Sequence, residues 1–209
     1  MSGWIRMREK HTQTRLLLAS ANPGKAAELE RILSRRLAGR PWQLLTAADF
    51  PSVAAPEETG DTFEANALLK ARFYARATGL ATLADDSGLV VDALDGRPGI
   101  ASARYAADDA GRIGRVLAEL EGTPPRLRTA RFVCVAALAD PGGHALTRRG
   151  EVHGRIALAP RGGGGFGYDP IFELIEPPHA GRTMAELAPE QKDALSHRGR
   201  ALELIASTL

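Results

Sequence analysis

The sequence predicts an α/β protein built on a mixed sheet. Three observations point to this. Apolar strand-like runs alternate with helical periodicity through the N-terminal half, a pattern of helices packed on a sheet. A strand, turn and strand pattern at 131–156 adds a hairpin, so parallel and antiparallel pairing share one sheet. The 209 residues, 44% hydrophobic and 25% charged, suffice for one domain with a real core, at most folded as two lobes around a cleft.

Each element follows from local signals. Residues 15–19 read as a buried strand, and Asn22-Pro23-Gly24 turns it into a helix over 25–37. A second strand is expected at 42–46, then a proline-containing loop. Asp61, with Glu64 three positions on, predicts the cap of a helix over 62–78, which Gly79 ends. Two short apolar strands at 80–84 and 89–91 flank Asp85-Asp86-Ser87-Gly88, which places the carboxylates at a strand end. A short helix is expected at 111–120 and strands at 131–139 and 144–156. The glycines of 162–165 form a loop before a strand within 166–174. The chain is helical from Pro189, with Ser196 able to cap a fresh helix. Residues 1–14 are read as a disordered tail ahead of a single domain at 15–209.

Composition excludes several classes of function. Lys plus Arg is 27 against 25 Asp plus Glu, a net +2 that argues against a general nucleic-acid coat while leaving room for a local basic pocket. No apolar run approaches the roughly 18 residues a membrane span needs. The single cysteine, Cys134, rules out an internal disulfide and a multi-cysteine zinc site, and points to a reducing, cytoplasmic compartment. Only four of the basic residues are lysines: Lys10, Lys25, Lys70 and Lys192. Where arginine serves as the ordinary cation, a retained lysine marks either drift or a place that needs a compact ammonium, such as a phosphate site.

Several motifs carry chemistry. Asn22-Pro23-Gly24-Lys25 at a strand-to-helix turn aims backbone N–H groups and an ammonium at an anion, or is an ordinary helix start. It is not a P-loop, because Ala26 stands where Ser or Thr would hold magnesium. Glu57-Glu58 and Asp85-Asp86 supply hard oxygen ligands of the kind Mg²⁺ takes beside substrate phosphates; the alternative is a solvated acidic turn. Thr62, Asn66 and Lys70 form one polar stripe, which faces either water or the site.

The run Gly162 to Gly167 formally satisfies G-x-G-x-x-G, yet it leads into Tyr168-Asp169-Pro170-Ile171-Phe172, which reads as a strand, so a dinucleotide site fails. Phe166 is either a core residue of a hairpin or a ring on which a base stacks while the exposed backbone reads its edge. Lys192, Ser196, His197 and Arg198 concentrate cations and a hydroxyl near a possible helix N-terminus.

Taken together, Ser-Ala-Asn-Pro-Gly-Lys at 20–25, Glu-Glu-Thr-Gly-Asp-Thr-Phe-Glu-Ala-Asn-Ala at 57–67, Ala-Asp-Asp-Ser-Gly-Leu at 84–89, Gly-Phe-Gly-Tyr-Asp-Pro-Ile-Phe at 165–172 and Ser-His-Arg-Gly at 196–199 resemble the Ham1/RdgB/inosine triphosphatase family. The resemblance implies an elongated mixed sheet flanked by helices, two lobes around a nucleotide cleft and a homodimer. It also implies Mg²⁺-dependent cleavage of ITP, dITP and XTP to the monophosphate and pyrophosphate. By motif position Asp86 is the catalytic base and a metal ligand, Glu57 the second metal ligand, and Glu58 its substitute. Ser20, Ala21, Asn22, Pro23, Gly24, Lys25 and Lys70 take the triphosphate; Ser87, Phe166, Gly167, Tyr168, Asp169, Lys192, His197 and Arg198 hold the rest of the nucleotide. The chain departs from the family in its extra tail, in Ser20-Ala21, and in a shortened segment at 106–120. Two other readings stay open: a less selective nucleotide hydrolase that releases orthophosphate, and a regulator that binds a purine nucleotide without turnover.

Overall fold

The computed structural model describes residues 14–20 and 22–209. The tail expected at 1–14 lies outside the described residues except for Thr14, which opens the first strand. The elements are β1 (Thr14–Ala19), α1 (Pro23–Arg36), β2 (Trp42–Thr46), α2 (Phe63–Thr78), β3 (Ala81–Val91), α3 (Asp109–Glu119), β4 (Thr129–Ala139), β5 (Ala145–Ile156), β6 (Phe172–Leu174), α4 (Pro189–Leu195) and α5 (His197–Ala206). All six strands form one sheet in the order β2-β1-β3-β4-β5-β6. β1 runs parallel to β2 and β3, and β5 antiparallel to β6, so the sheet is mixed as the sequence predicts.

Two compact units divide the chain. The first holds the residues up to Asp86, Val135–Arg148 and Ala201–Leu209; the second holds Ser87–Cys134 and Arg149–Arg200.

In the first unit, Leu16, Leu17 and Leu18 are fully buried, as befits an inner strand of a parallel array covered on both faces. α1 starts where Asn22 Oδ1 accepts the Lys25 N–H at 3.0 Å and Pro23 fills the first helical position. It then buries Leu29, Ile32 and Leu33, a spacing that lines one helical face. α2 is capped by Thr62, whose Oγ1 accepts the Ala65 N–H at 3.1 Å, and not by Asp61 as expected. Both residue types cap well, and local pattern does not separate neighbours by one position. The helix ends at Gly79, in the left-handed region at φ 69°.

The second unit packs Leu89, Val116, Phe132, Ile156, Ile171 and Phe172 into one core. Phe132 stacks on Phe172 with centroids 4.3 Å apart. Arg128 is buried and spreads its guanidinium over three carbonyls: Ile156 at 3.0 Å, Leu120 at 3.1 Å and Ala157 at 3.1 Å.

Two strand expectations are corrected. β3 is one continuous eleven-residue strand, so Asp85 and Asp86 lie within it and not at a strand end. The strand expected within 166–174 shrinks to β6, because Asp169–Ile171 forms a 3₁₀ turn with Pro170 inside it. Among the described residues no helix is long and apolar enough to cross a membrane.

Candidate active site

Successive residues of a strand face opposite ways. In β3 this sends Asp85 to Lys25 of α1, with Nζ 4.0 Å from Oδ2, and Asp86 to α2. There Asn66 Nδ2 donates to Asp86 Oδ2 at 3.2 Å and Lys70 Nζ lies 3.9 Å from Asp86 Oδ1. Lys70 also reaches Glu58 Oε1 at 2.7 Å. Asn66 is completely buried, and its amide orientation is fixed because Oδ1 accepts the Gly60 N–H at 2.8 Å. A Cβ at Gly60 would stand 2.7 Å from that Oδ1, so the approach of the acidic loop to α2 requires glycine. The polar stripe on α2 therefore faces the carboxylates.

Burial is the main influence on Asp86 and pushes its carboxyl above the ordinary range. Lys70 and Lys25 pull the other way, Glu58 adds to the rise, and the Asn66 hydrogen bond opposes it. Burial pulls the Lys70 ammonium down, but Asp85, Asp86 and Glu58 outweigh it and hold the group above its usual value. A carboxylate with a raised pKa beside a firmly charged lysine is an arrangement suited to taking a proton.

The acidic loop brings Glu58 into this group, whereas Glu57, the residue expected to be the metal ligand, is exposed. Alternate residues of an extended loop point apart, and only one of two adjacent glutamates can reach Lys70. Among the described residues no three His, Cys, Asp or Glu side chains gather closely enough to hold a metal by themselves. The donor set is all oxygen and centres on Asp86 and Glu58. That suits Mg²⁺, which takes one or two carboxylates and completes its shell with water and phosphate oxygens. On the other side of the strand, Ser20 Oγ donates to the Asn22 carbonyl at 3.3 Å, and the N-terminus of α1 carries Pro23, Gly24 and Lys25. Ala21 lies outside the described residues.

The second unit assembles a second group. Lys192 Nζ contacts Asp169 Oδ2 at 2.6 Å and lies 4.5 Å from the centre of the Phe166 ring, with the Arg198 guanidinium 5.8 Å from the same ring. Arg198 Nη2 donates to Ser87 Oγ at 2.9 Å. Ser196 caps α5 by accepting the Gly199 N–H at 3.0 Å, as expected, and so presents His197 and Arg198 in its first turn. The His197 ring is buried and stacks on Phe132 with centroids 4.8 Å apart.

The turn around Phe166 differs from expectation in one respect. Its backbone donors are not exposed: the Phe166 N–H goes to Asp169 Oδ2 at 2.8 Å and the Gly167 N–H to Asp109 Oδ2 at 2.7 Å. Tyr168 is buried and donates its hydroxyl to the Ser102 carbonyl at 2.9 Å. Asn66 and Asp109 complete these groups, although local pattern alone did not single them out as site residues; Asp85, offered with Asp86 as an oxygen ligand, approaches Lys25. For Asn66 the signal was its place on the Lys70 stripe.

Fold and site together define the class: a mixed-sheet α/β protein with a buried acid–lysine centre of the kind that hydrolytic enzymes use. The chain belongs to the Ham1 family, whose model matches residues 16–208. It is 53% identical over 199 residues to the dITP/XTP pyrophosphatase of Geobacter sulfurreducens, covering 94% of this chain and 96% of that one. It is 50% identical over 193 residues to the dITP/XTP pyrophosphatase of Thermus thermophilus, covering 91% and 89%. Among solved structures it is similar to a HAM1 protein from Coxiella burnetii, with a TM-score of 0.81 at 46% identity, covering 93% of this chain and 98% of that chain. The Staphylococcus aureus Ham1 protein gives 0.79 at 38% identity, covering 93% and 97%.

Proposed function

We propose that this protein hydrolyses the deaminated purine nucleoside triphosphates ITP, dITP and XTP to the monophosphate and pyrophosphate, clearing them from the cytoplasmic nucleotide pool. One observation carries the reading: Asp86 is buried with a raised pKa and is held from two sides by Asn66 and Lys70.

In this mechanism Lys25, Lys70 and the N-terminus of α1 bind the triphosphate, whose charge near −4 needs several cations. Asp86 takes a proton from the water that attacks the α-phosphorus; the bond to the bridging oxygen breaks and pyrophosphate leaves. Asp86 and Glu58 would hold Mg²⁺, which when bound neutralises phosphate charge and stabilises the leaving pyrophosphate. Asn66 holds one oxygen of Asp86, so the other stays oriented on the Lys70 side.

The group of Phe166, Lys192 and Arg198 is assigned to a purine base, as the family resemblance implies. The Phe166 ring offers a stacking face. Lys192 and Arg198 are donors only, matched to the O6 acceptor of hypoxanthine and xanthine and mismatched to the 6-amino donor of adenine. Discrimination through an unpaired buried donor reaches about 10⁴-fold. A homodimer, implied by the family resemblance, is the assembly we propose for the enzyme.

The test is product analysis with ITP, dITP, XTP, GTP and ATP in the presence of Mg²⁺, on the wild type and Asp86→Asn. The reading expects monophosphate and pyrophosphate from the 6-oxo purines, little from ATP, and a loss of at least about 10²-fold in the variant. Orthophosphate, or equal use of ATP, would establish the less selective hydrolase. Tight ITP binding without turnover would establish the regulator.

A further inference from the structure

We infer that Asp109 is a positioning residue for the base-reading turn, a step that rests on the assignment of Phe166 to the purine. Asp109 is the first residue of α3 and stands 58 positions from the glycine it holds. Its Oδ2 accepts the Gly167 N–H at 2.7 Å while its Oδ1 is gripped by Arg112, whose other arm donates to the Ala103 carbonyl at 2.6 Å. α3 is itself anchored: Val116 and Leu120 are fully buried, and Ile113 and Leu117 pack against the core. Asp109 therefore refers the turn to a rigid element.

The turn needs such a reference. Gly167 sits at φ 61° with nothing within 4 Å of where a Cβ would stand, so glycine is there for the backbone conformation and not for lack of space. Two consecutive amides, those of Phe166 and Gly167, are each held by a carboxylate from a different segment, Asp169 and Asp109. One carboxylate leaves the peptide between them free to rotate; two fix the direction in which the Phe166 ring leaves the chain. Misplacement of a stacking ring by an ångström costs binding without touching the reacting atoms.

The Asp109 side chain is 47% exposed, so it contributes little to global stability, which separates positioning from a merely structural role.

The experiment compares wild type, Asp109→Ala and Asp109→Asn. Steady-state kinetics on ITP and ATP are read alongside amide hydrogen exchange of residues 165–169 in the free protein and the melting temperature. Loss of one charge-assisted hydrogen bond should raise KM for ITP about tenfold in Asp109→Ala with kcat within about twofold, and reduce the preference for ITP over ATP. Exchange at 165–169 should quicken, with little change in melting temperature. Asp109→Asn keeps an acceptor oxygen and should stay within about threefold of wild type. An unchanged KM and unchanged exchange in Asp109→Ala would overturn the inference, as would an Asn variant as impaired as the Ala variant. If the wild type fails to hydrolyse ITP while Asp109→Ala still quickens exchange, the proposed function falls and the positioning contact stands.

Discussion

Lys192 and Asp169 meet at 2.6 Å with side chains only 6% and 5% exposed, an ion pair closed off from solvent beside the Phe166 ring. The same Asp169 Oδ2 also accepts the Phe166 N–H, so a single oxygen sets both the ammonium and the turn. Gly165 makes room for it: its φ is 71°, and a Cβ there would overlap Asp169 Oδ2. Gly165→Ala should therefore displace Asp169 and lower kcat/KM for ITP by at least about 30-fold, mostly through KM. Kinetics on the purified variant check this, and an effect under threefold would show that the turn tolerates the shift.

The two glutamates of the acidic loop should behave differently. Glu58 is bonded to Lys70 beside Asp86 and Glu57 is exposed, so Glu58→Gln should reduce kcat/KM by about 10²-fold or more and Glu57→Gln by less than about threefold. The comparison is made at several Mg²⁺ concentrations. A Glu57 variant weakened more than the Glu58 variant would reverse the assignment.

Arg128 predicts a stability effect far from the chemistry. Replacement by Met would strip three buried carbonyls of their donor, at a cost of about 3 kcal/mol or more, and should lower the melting temperature by roughly 6 °C or more. Lysine should rescue only in part, because one ammonium cannot span the fork. Thermal denaturation of both variants is the measurement, and equal stability of Met and wild type would remove the role given to the fork.

The acid limb of stability has a named contributor. Burial raises Glu173, but its hydrogen bonds to Arg161 at 2.9 Å and Arg155 at 2.5 Å prevail and hold its carboxyl below the ordinary value of 4.5. A group depressed on folding stabilises the protein above its unfolded pKa and loses that contribution as the pH falls through the folded one. Glu173→Gln should thus melt roughly 2–5 °C below wild type at pH 7, with the gap closing below about pH 4.5. A gap that persists at pH 3 would mean that packing, not charge, is what the glutamine disturbs.

Much of this architecture was legible in the chain. The β2 strand, the Asn22-Pro23-Gly24 turn into α1 and the Ser196 break between α4 and α5 follow from apolar spacing, turn residues and capping chemistry, which act within a few residues. β3 was not, because Asp-Asp-Ser-Gly looks like a break to any local rule. It continues as strand because Lys25, Asn66 and Lys70 arrive from two helices to compensate the carboxylates, and such partners are invisible to a local window. Which of Glu57 and Glu58 reaches Lys70, and the hold of Asp109 on the Gly167 amide, depend equally on long-range contacts. The three lysines within the described residues, Lys25, Lys70 and Lys192, each approach a carboxylate, of Asp85, Glu58 and Asp169 respectively.

The most direct test of the central claim follows the oxygen of water. Turnover of ITP in ¹⁸O-labelled water, with the products separated and weighed by mass spectrometry, reports which phosphorus is attacked. Attack at the α-phosphorus with Asp86 as base places one label in the monophosphate and none in pyrophosphate. Label in pyrophosphate or in released orthophosphate would contradict that mechanism.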